Sequence, residues 1–392
     1  MFSLVASRLP GEKNPLYQLR DRLQSEGVVP TDLISGNVHE SGIRFPQPAL
    51  EEILTRAARR CGVYRPDSFG LGDARRAISS FYAAQGVAIP PEHLLLTPGT
   101  SIAYWYCFKL LANDGDEILC PSPSYPLFEY IAALSGVSLI PYRLDESRDW
   151  TIDVDHLESV ISTRTRALVL ISPHNPTGHI SSGEEIAALA EVARRHDLAI
   201  ISDEVFSEFL ITAARLPRPA ACGSPLTLTL NGFSKMFALP GLKLGWMAVT
   251  GDLERVKGAL RALELISDTF LPVNEIMQAA VADIFREGAA FAEHFAGEVR
   301  RRWQLADAHL RHCSRVSYLP PAGGFYVALK LEGIEEEAAA LAALREERIL
   351  LHPGYYYDMK PHHLVLCFVQ NPEVIGDVLP RLLRRLERQA NP

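Results

Sequence analysis

The sequence predicts an α/β protein, with a large three-layer unit around a mostly parallel sheet and a smaller α+β unit beside it. Three observations carry this expectation. Short, fully apolar runs recur through the middle of the chain, as in Leu94-Leu-Leu-Thr97 and Ala167-Leu-Val-Leu-Ile-Ser172. Helical stretches stand between them, and continuous apolar strands alternating with helices require a sheet covered on both faces. The tail then changes rhythm, with strands expected at 316–319, 324–330 and 363–370 among helices near 335–345 and 372–389.

Taken in order, 94–97 reads as a strand, and the turn Thr97-Pro-Gly-Thr-Ser-Ile-Ala103 opens a helix over about 101–112. A strand at 117–120 and a helix around 127–134 follow, then the strand at 167–172. Ser181-Ser-Gly-Glu-Glu has the pattern of a capping box and opens a helix to about 195. Strands at 198–202 and 226–230 complete the series. Glu335-Glu-Glu-Ala-Ala-Ala-Leu places acid in the first turn of a good helix, where it complements the helix dipole.

Composition excludes several classes. The 392 residues are 47% apolar and 22% charged, as in a soluble enzyme long enough for more than one unit. The net charge of -8 gives no basic face for nucleic acid. No apolar run approaches the roughly 18–20 residues of a membrane span, and the apolar core of residues 1–10 is too short for a signal peptide. The six cysteines are far apart without a C-x-x-C pair, so reduced thiols in a cytoplasmic protein are expected. Phe69-Gly-Leu-Gly-Asp-Ala-Arg75 lacks the third glycine of a dinucleotide fingerprint, and neither a P-loop nor a metal-ligand spacing occurs.

Four motifs fall where an open α/β sheet collects ligands, outside the carboxyl ends of its strands. In Asn231-Gly-Phe-Ser-Lys-Met-Phe-Ala-Leu-Pro-Gly-Leu-Lys-Leu-Gly-Trp246, Lys235 stands five residues before Pro240-Gly241, with Lys243 and Gly245 beyond. That spacing holds an amine beside an anion-binding turn. At Thr97–Ala103 the free N–H groups of Thr100 and Ser101, with the helix dipole, would cradle a phosphate. Ser172-Pro-His-Asn-Pro-Thr-Gly178 follows an apolar strand and presents Asn175 on a loop fixed by two prolines. Ile201-Ser-Asp-Glu-Val-Phe206 ends a buried strand in Asp203, an acid that is costly there unless paired. Asp203 lies 28 residues after Asn175 and 32 before Lys235.

In these motifs and their order the chain resembles the class I/II aminotransferases of the fold type I pyridoxal phosphate family, nearest to the bacterial alanine/aspartate type. The resemblance implies a large cofactor-binding domain at 46–275 and a small domain made of 1–45 and 276–392. It implies that Lys235 forms an imine with pyridoxal 5'-phosphate and, once released, shuttles a proton. Asp203 would pair with the ring nitrogen, Asn175 with the phenolic oxygen, and Tyr125, in Pro121-Ser-Pro-Ser-Tyr-Pro126, would stack on the ring. Gly99, Thr100, Ser101, Ser234 and Lys243 would contact the phosphate. Tyr64, six residues before Gly70, matches a tyrosine that reaches the phosphate of a partner subunit, which implies a homodimer with shared sites. Gly36 and Asn37, in Asp32-Leu-Ile-Ser-Gly-Asn37, match the segment lining the substrate pocket. Pro321-Ala-Gly-Gly-Phe-Tyr326 matches a small-domain signature and is expected to be structural.

Three positions depart from the family. Phe206 stands where a tyrosine would donate to the phenolic oxygen, so the imine is expected to have a raised pKa. Lys243 replaces an arginine and offers a point charge in place of a fork. In His363-Leu-Val-Leu-Cys-Phe368, Val365 occupies the place of the arginine that clamps the substrate carboxylate. The Gly36 backbone, the Asn37 amide and His352 are the candidates to replace it. The expected reaction is transamination between an amino acid and a 2-oxo acid by a ping-pong route. The alternative is a lyase or cyclase working by β- or γ-elimination on the same residues. A sensor built on this fold would need a DNA-binding domain, and the first 45 residues lack a basic helix-turn-helix pattern.

Overall fold

The computed structural model describes residues 5, 14–126, 128–213 and 215–388. The reading of residues 1–10, apart from residue 5, and the expected helix ends at 127 and 389 lie outside them. An eight-stranded sheet runs in the order Leu94–Thr97, Gly245–Gly251, Leu226–Gly232, Ala199–Asp203, Thr165–Ile171, Glu117–Ser122, Ser138–Asp145, Thr151–Ile152. From Leu226–Gly232 through Ser138–Asp145 neighbouring strands are parallel. Gly245–Gly251 runs antiparallel to both its neighbours.

The strand alternation explains the layers. Ala167 and Val169 join Ile201 and Leu228 on one face, covered by Ala103, Cys107 and Leu263 from helices Thr100–Leu111 and Leu253–Asp268. Leu168, Leu170 and Ile200 point the other way, against Leu189 and Val192 of helix Gly183–His196. Every residue of Ala199–Asp203 and Leu226–Gly232 is buried, the polar Ser202, Thr227, Thr229 and Asn231 included, as strands covered on both faces require. The capping box is present: Ser182 accepts from the Glu185 N–H and Glu185 accepts from the Ser182 N–H.

Three large-sheet strands, Ser138–Asp145, Thr151–Ile152 and Gly245–Gly251, were not expected from the sequence. Ser138–Asp145 is a partly exposed strand carrying Pro141, and proline demotes such a run in a sequence reading. Gly245–Gly251 is apolar, but its antiparallel place between two parallel strands has no local signature.

The smaller unit has an antiparallel sheet in the order Val316–Tyr318, Tyr326–Leu331, His363–Cys367, His352–Pro353. Thr31–Asp32 pairs in parallel with Ile349–Leu350 and ties the N-terminal segment to it. Helices Ala289–Leu310 and Pro372–Arg388 pack together, both contributing to the core that covers this sheet. The helix expected at 335–345 is α-helical over Glu336–Ala342 and π-helical over Ala343–Glu347. Helix Glu275–Glu287 packs on Gln47–Arg60 and Gly72–Ala84, with Val281 and Ile284 in one cluster with Ile53 and Ile78. Among the described residues no helix is long and apolar enough to cross a membrane.

Candidate active site

Three adjacent parallel strands end at one level, and their loops deliver the central side chains. Asp203 is in register with Ile171 and Leu230. The chain after Ile171 enters the loop carrying Asn175, and the chain after Gly232 enters the short helix Phe233–Met236 carrying Lys235. These residues line one cavity of about 230 Å³ with Thr100, Ser101, Tyr104, Tyr125, Phe206, Ser234 and Tyr326.

Asp203 is buried at 8% exposure, and its Oδ1 accepts from the Val205 N–H at 3.0 Å. Its Oδ2 accepts from the Tyr104 hydroxyl at 2.9 Å. Burial pushes this carboxyl up to about 6 despite those two hydrogen bonds. The Tyr104 hydroxyl, fully desolvated beside the acid, stays well above its ordinary range and so remains the donor.

Lys235 Nζ donates to the Gly36 carbonyl at 3.5 Å. It also lies 5.9 Å from the Phe206 ring centre and 6.0 Å from that of Phe325. Burial in this apolar setting holds the amine below the usual ammonium range, which favours its neutral, nucleophilic form. Gly36 reaches the amine through an Asp32 turn, in which Oδ1 accepts from the N–H groups of Ile34 at 2.6 Å and Ser35 at 2.9 Å. A methyl at Gly36 would stand 2.7 Å from Tyr326 Oη and 3.3 Å from Lys235 Nζ, so glycine leaves room for both groups beside this backbone.

Asn175 is buried at 8%, and its side-chain oxygen has no hydrogen-bond partner among the described residues. Its loop is clamped from the smaller unit, where the N–H groups of Ala322 and Gly323 donate to the Gly178 carbonyl at 2.9 and 3.0 Å. Gly178 has φ +71°, and a Cβ there would run into Pro321. The segment expected to be structural thus has two effects: it locks the Asn175 loop and feeds Tyr326 into the cavity.

The turn before Thr100 meets the lysine turn because glycines let the backbones touch. A Cβ on Gly245 would lie 2.9 Å from the Asn231 carbonyl oxygen and 3.1 Å from the Gly99 Cα. Thr100, Ser101 and Ser234 therefore line the same cavity.

Other sequence-predicted residues lie elsewhere. Lys243 is exposed on the turn after Pro240–Leu242 and does not line the cavity. Asn37 is exposed, and its amide donates to Glu40 at 2.9 Å. Tyr64 is 69% exposed and borders a separate surface cavity with Pro66, Leu271 and Val273. His352 has both ring nitrogens engaged, with Tyr17 at 2.7 Å and Tyr357 at 3.2 Å, so it is spent within the aromatic cluster. Val365 is buried in register with Ala328 and His352. The sequence reading missed Tyr104 and Tyr326. Helical spacing from Thr100, one turn earlier, was the available signal for Tyr104; Tyr326 closes the Pro321–Tyr326 segment, which the sequence reading took as structural.

The fold matches that of solved aminotransferases. The chain belongs to the aminotransferase class I and II family, whose profile it matches over residues 32–382. It is 30% identical over 388 residues to the glutamate-pyruvate aminotransferase AlaA of Escherichia coli, covering 95% of this chain and 94% of that one. It is also 30% identical over 382 residues to the alanine aminotransferase of Mycobacterium tuberculosis, covering 94% and 88%. A solved aminotransferase from Escherichia coli superposes with a TM-score of 0.88 at 28% identity, covering 99% of this chain and 98% of that one. The family carries out pyridoxal phosphate-dependent transamination, and these relatives do not favour the elimination reading.

Proposed function

We propose that this chain binds pyridoxal 5'-phosphate and moves an amino group from an amino acid to a 2-oxo acid in two half-reactions at one site. The convergence of Lys235, Asp203 and Asn175 on one cavity carries the reading. The residues fit the cofactor on three counts. Asp203 is a buried acid with no ion-pair partner among the described residues, which a protonated ring nitrogen would supply. The Asn175 side-chain oxygen is buried without a partner among the described residues, and with the amide turned over its N–H would meet a phenolic oxygen. Lys235 is a desolvated amine of the kind that condenses with an aldehyde.

When bound, the cofactor supplies that aldehyde and a ring that takes up the electron pair left by proton loss. Thr100, Ser101 and Ser234 hold the phosphate end, aided by the free N–H groups opening helix Thr100–Leu111. Gly99 shapes that turn, and Lys243 adds a cation outside the cavity wall. Tyr125 stacks on the ring, Phe206 packs beside it, and Gly36 borders the substrate. Asn37 would join them only after releasing Glu40. Substrates of the kind named for the relatives, glutamate and pyruvate, are the first to test.

The protein is proposed to act in the cytoplasm as a homodimer. Tyr64, Leu265 and Phe270 are 69%, 72% and 60% exposed, an apolar surface that a second copy would cover and that carries Tyr64 toward a shared site. The domain division at 46–275 against 1–45 with 276–392 is likewise proposed, with helix Glu275–Glu287 riding on the larger unit.

Borohydride reduction of the loaded protein, digestion and mass mapping test the central assignment. The cofactor mass is expected on the Lys235 peptide, and an unmodified Lys235 with cofactor still bound would overturn it. Amino acids should bleach the visible cofactor band and 2-oxo acids restore it. Ammonia release without an acceptor would restore elimination.

A further inference from the structure

We propose that this site also takes primary amines that lack an α-carboxylate and binds them about as well as the matching amino acids, because no fixed positive charge of this chain meets the substrate and the sheet face around Val365 is neutral. The inference goes beyond the reading given above and rests on it for the role of Lys235. A carboxylate drawn out of water keeps its affinity only where a cation or several N–H donors replace that water. A cavity wall without them gains little from the carboxylate.

Apart from Lys235, no lysine, arginine or histidine lines the cavity, and its one acid is Asp203. The sheet of the smaller unit contributes Tyr326 to the wall. In antiparallel register Tyr326 stands opposite Cys367, Ala328 opposite Val365, and Val365 opposite His352, so these side chains share the face that Tyr326 turns to the cavity. Val365 and Ala328 are buried and apolar. Burial pushes His352 down to about 4, and its ring nitrogens are engaged by Tyr17 and Tyr357, so it offers no charge. Arg302 is buried beyond the end of the strand and donates to Glu298 at 3.3 Å and to the carbonyls of Ser41 at 3.0 Å and Val369 at 3.4 Å. Asp32 makes this face less hospitable still: after burial, its negative charge is among the influences that push up the Cys367 thiol, to about 12, and the Tyr326 hydroxyl.

For an amine donor the atoms balance as they do for an amino acid. The C–H bond beside the nitrogen breaks, its proton passes to Lys235 Nζ, and the electron pair goes to the bound cofactor. Water then replaces nitrogen on that carbon, so R–CH2–NH2 leaves as an aldehyde. The nitrogen is carried to the 2-oxo acid, which leaves as an amino acid and returns one water. The donor carbon is oxidised by two electrons and the oxo carbon is reduced by two, so no further oxidant is required.

Wild-type protein loaded with pyridoxal 5'-phosphate provides the test. 2-Methylalanine and tert-butylamine differ by a carboxylate in place of a methyl, and neither has a C–H bond to lose beside its nitrogen. Their Kd values by calorimetry should agree within about tenfold, where a charge-assisted clamp would separate them by about 10- to 100-fold. With pyruvate as acceptor, ethylamine should yield acetaldehyde and 4-aminobutanoate its aldehyde, each with an equal amount of alanine. A Kd preference for the amino acid above about tenfold would overturn the proposal and would mean that a second copy of the chain supplies the charge. Amines that bind and give no aldehyde would also overturn it. Val365→Arg should create a preference for 2-methylalanine of about 10- to 100-fold with the tert-butylamine Kd little changed. An unchanged ratio in the folded variant would overturn the placing of this face against the substrate, and the wild-type comparison decides the matter if the variant fails to fold. Borohydride labelling of Lys235 is read on the same preparation: an unlabelled lysine fails the cofactor assignment, whereas a labelled one with a strong amino-acid preference fails this proposal alone.

Discussion

The Tyr104 hydroxyl donates to Asp203 Oδ2 across 2.9 Å, from the first turns of the helix that also carries Thr100 and Ser101. One helix therefore lines the cavity with Thr100 and Ser101 and also bonds its buried acid. With the Val205 N–H on Oδ1, the tyrosine on Oδ2 fixes how the Asp203 carboxyl is oriented in the cavity wall.

Tyr104→Phe should lose about 2 kcal/mol of charge-assisted hydrogen bonding at Asp203. The expected result is a reduction in half-reaction rate of about tenfold or more with cofactor still bound. Stopped-flow bleaching by an amino donor measures it, and an unchanged rate would leave Tyr104 as packing alone.

The cofactor-free protein should show a pH dependence traceable to Asp203. Its folded pKa of about 6 exceeds the unfolded value, so its stabilising contribution is present at low pH and is lost as pH rises from about 4 to 6. The size is on the order of 2–3 kcal/mol. His174, pushed by burial to about 3, has the opposite slope: its contribution is present above about 6.5 and fades as pH falls. Urea unfolding of wild type and Asp203→Asn at pH 4.5 and 6.5 separates the two. The difference between the proteins should change across that window, and a constant difference would show that Asp203 does not titrate there.

Phe206→Tyr restores a donor near the cofactor's phenolic oxygen, stabilising its negative charge beside Asn175. The visible band of the resting enzyme should then titrate at lower pH than in wild type. Superimposed absorbance titrations would rule this out.

Gly178→Ala forces a side chain onto φ +71° and into Pro321. A cost of about 2 kcal/mol or more is expected. It should show as a lowered Tm together with weaker cofactor retention, since the same clamp positions Asn175. A drop in Tm with unchanged retention would separate the loop from the site.

The amino-acid sequence by itself determined the local chemistry. Apolar runs such as 167–172 and 198–202 marked the central strands because burial on both faces leaves no polar position in them. The capping box at Ser182 and Glu185 marked a helix start because its hydrogen bonds span four residues. Lys235, Asp203 and Asn175 were legible because each sits in a short motif at a strand end, and parallel strands bring such ends to one level. The tertiary structure alone decided the partners that arrive from far along the chain. Gly36 meets Lys235 from the N-terminal segment, Tyr326 joins the same cavity from the other end of the chain, Pro321 locks the Asn175 loop, and Asn37 and His352 are diverted to Glu40 and to Tyr17 with Tyr357. Those contacts depend on how the smaller unit docks and on which hydrogen bonds compete for each side chain, and no local pattern of residues encodes either.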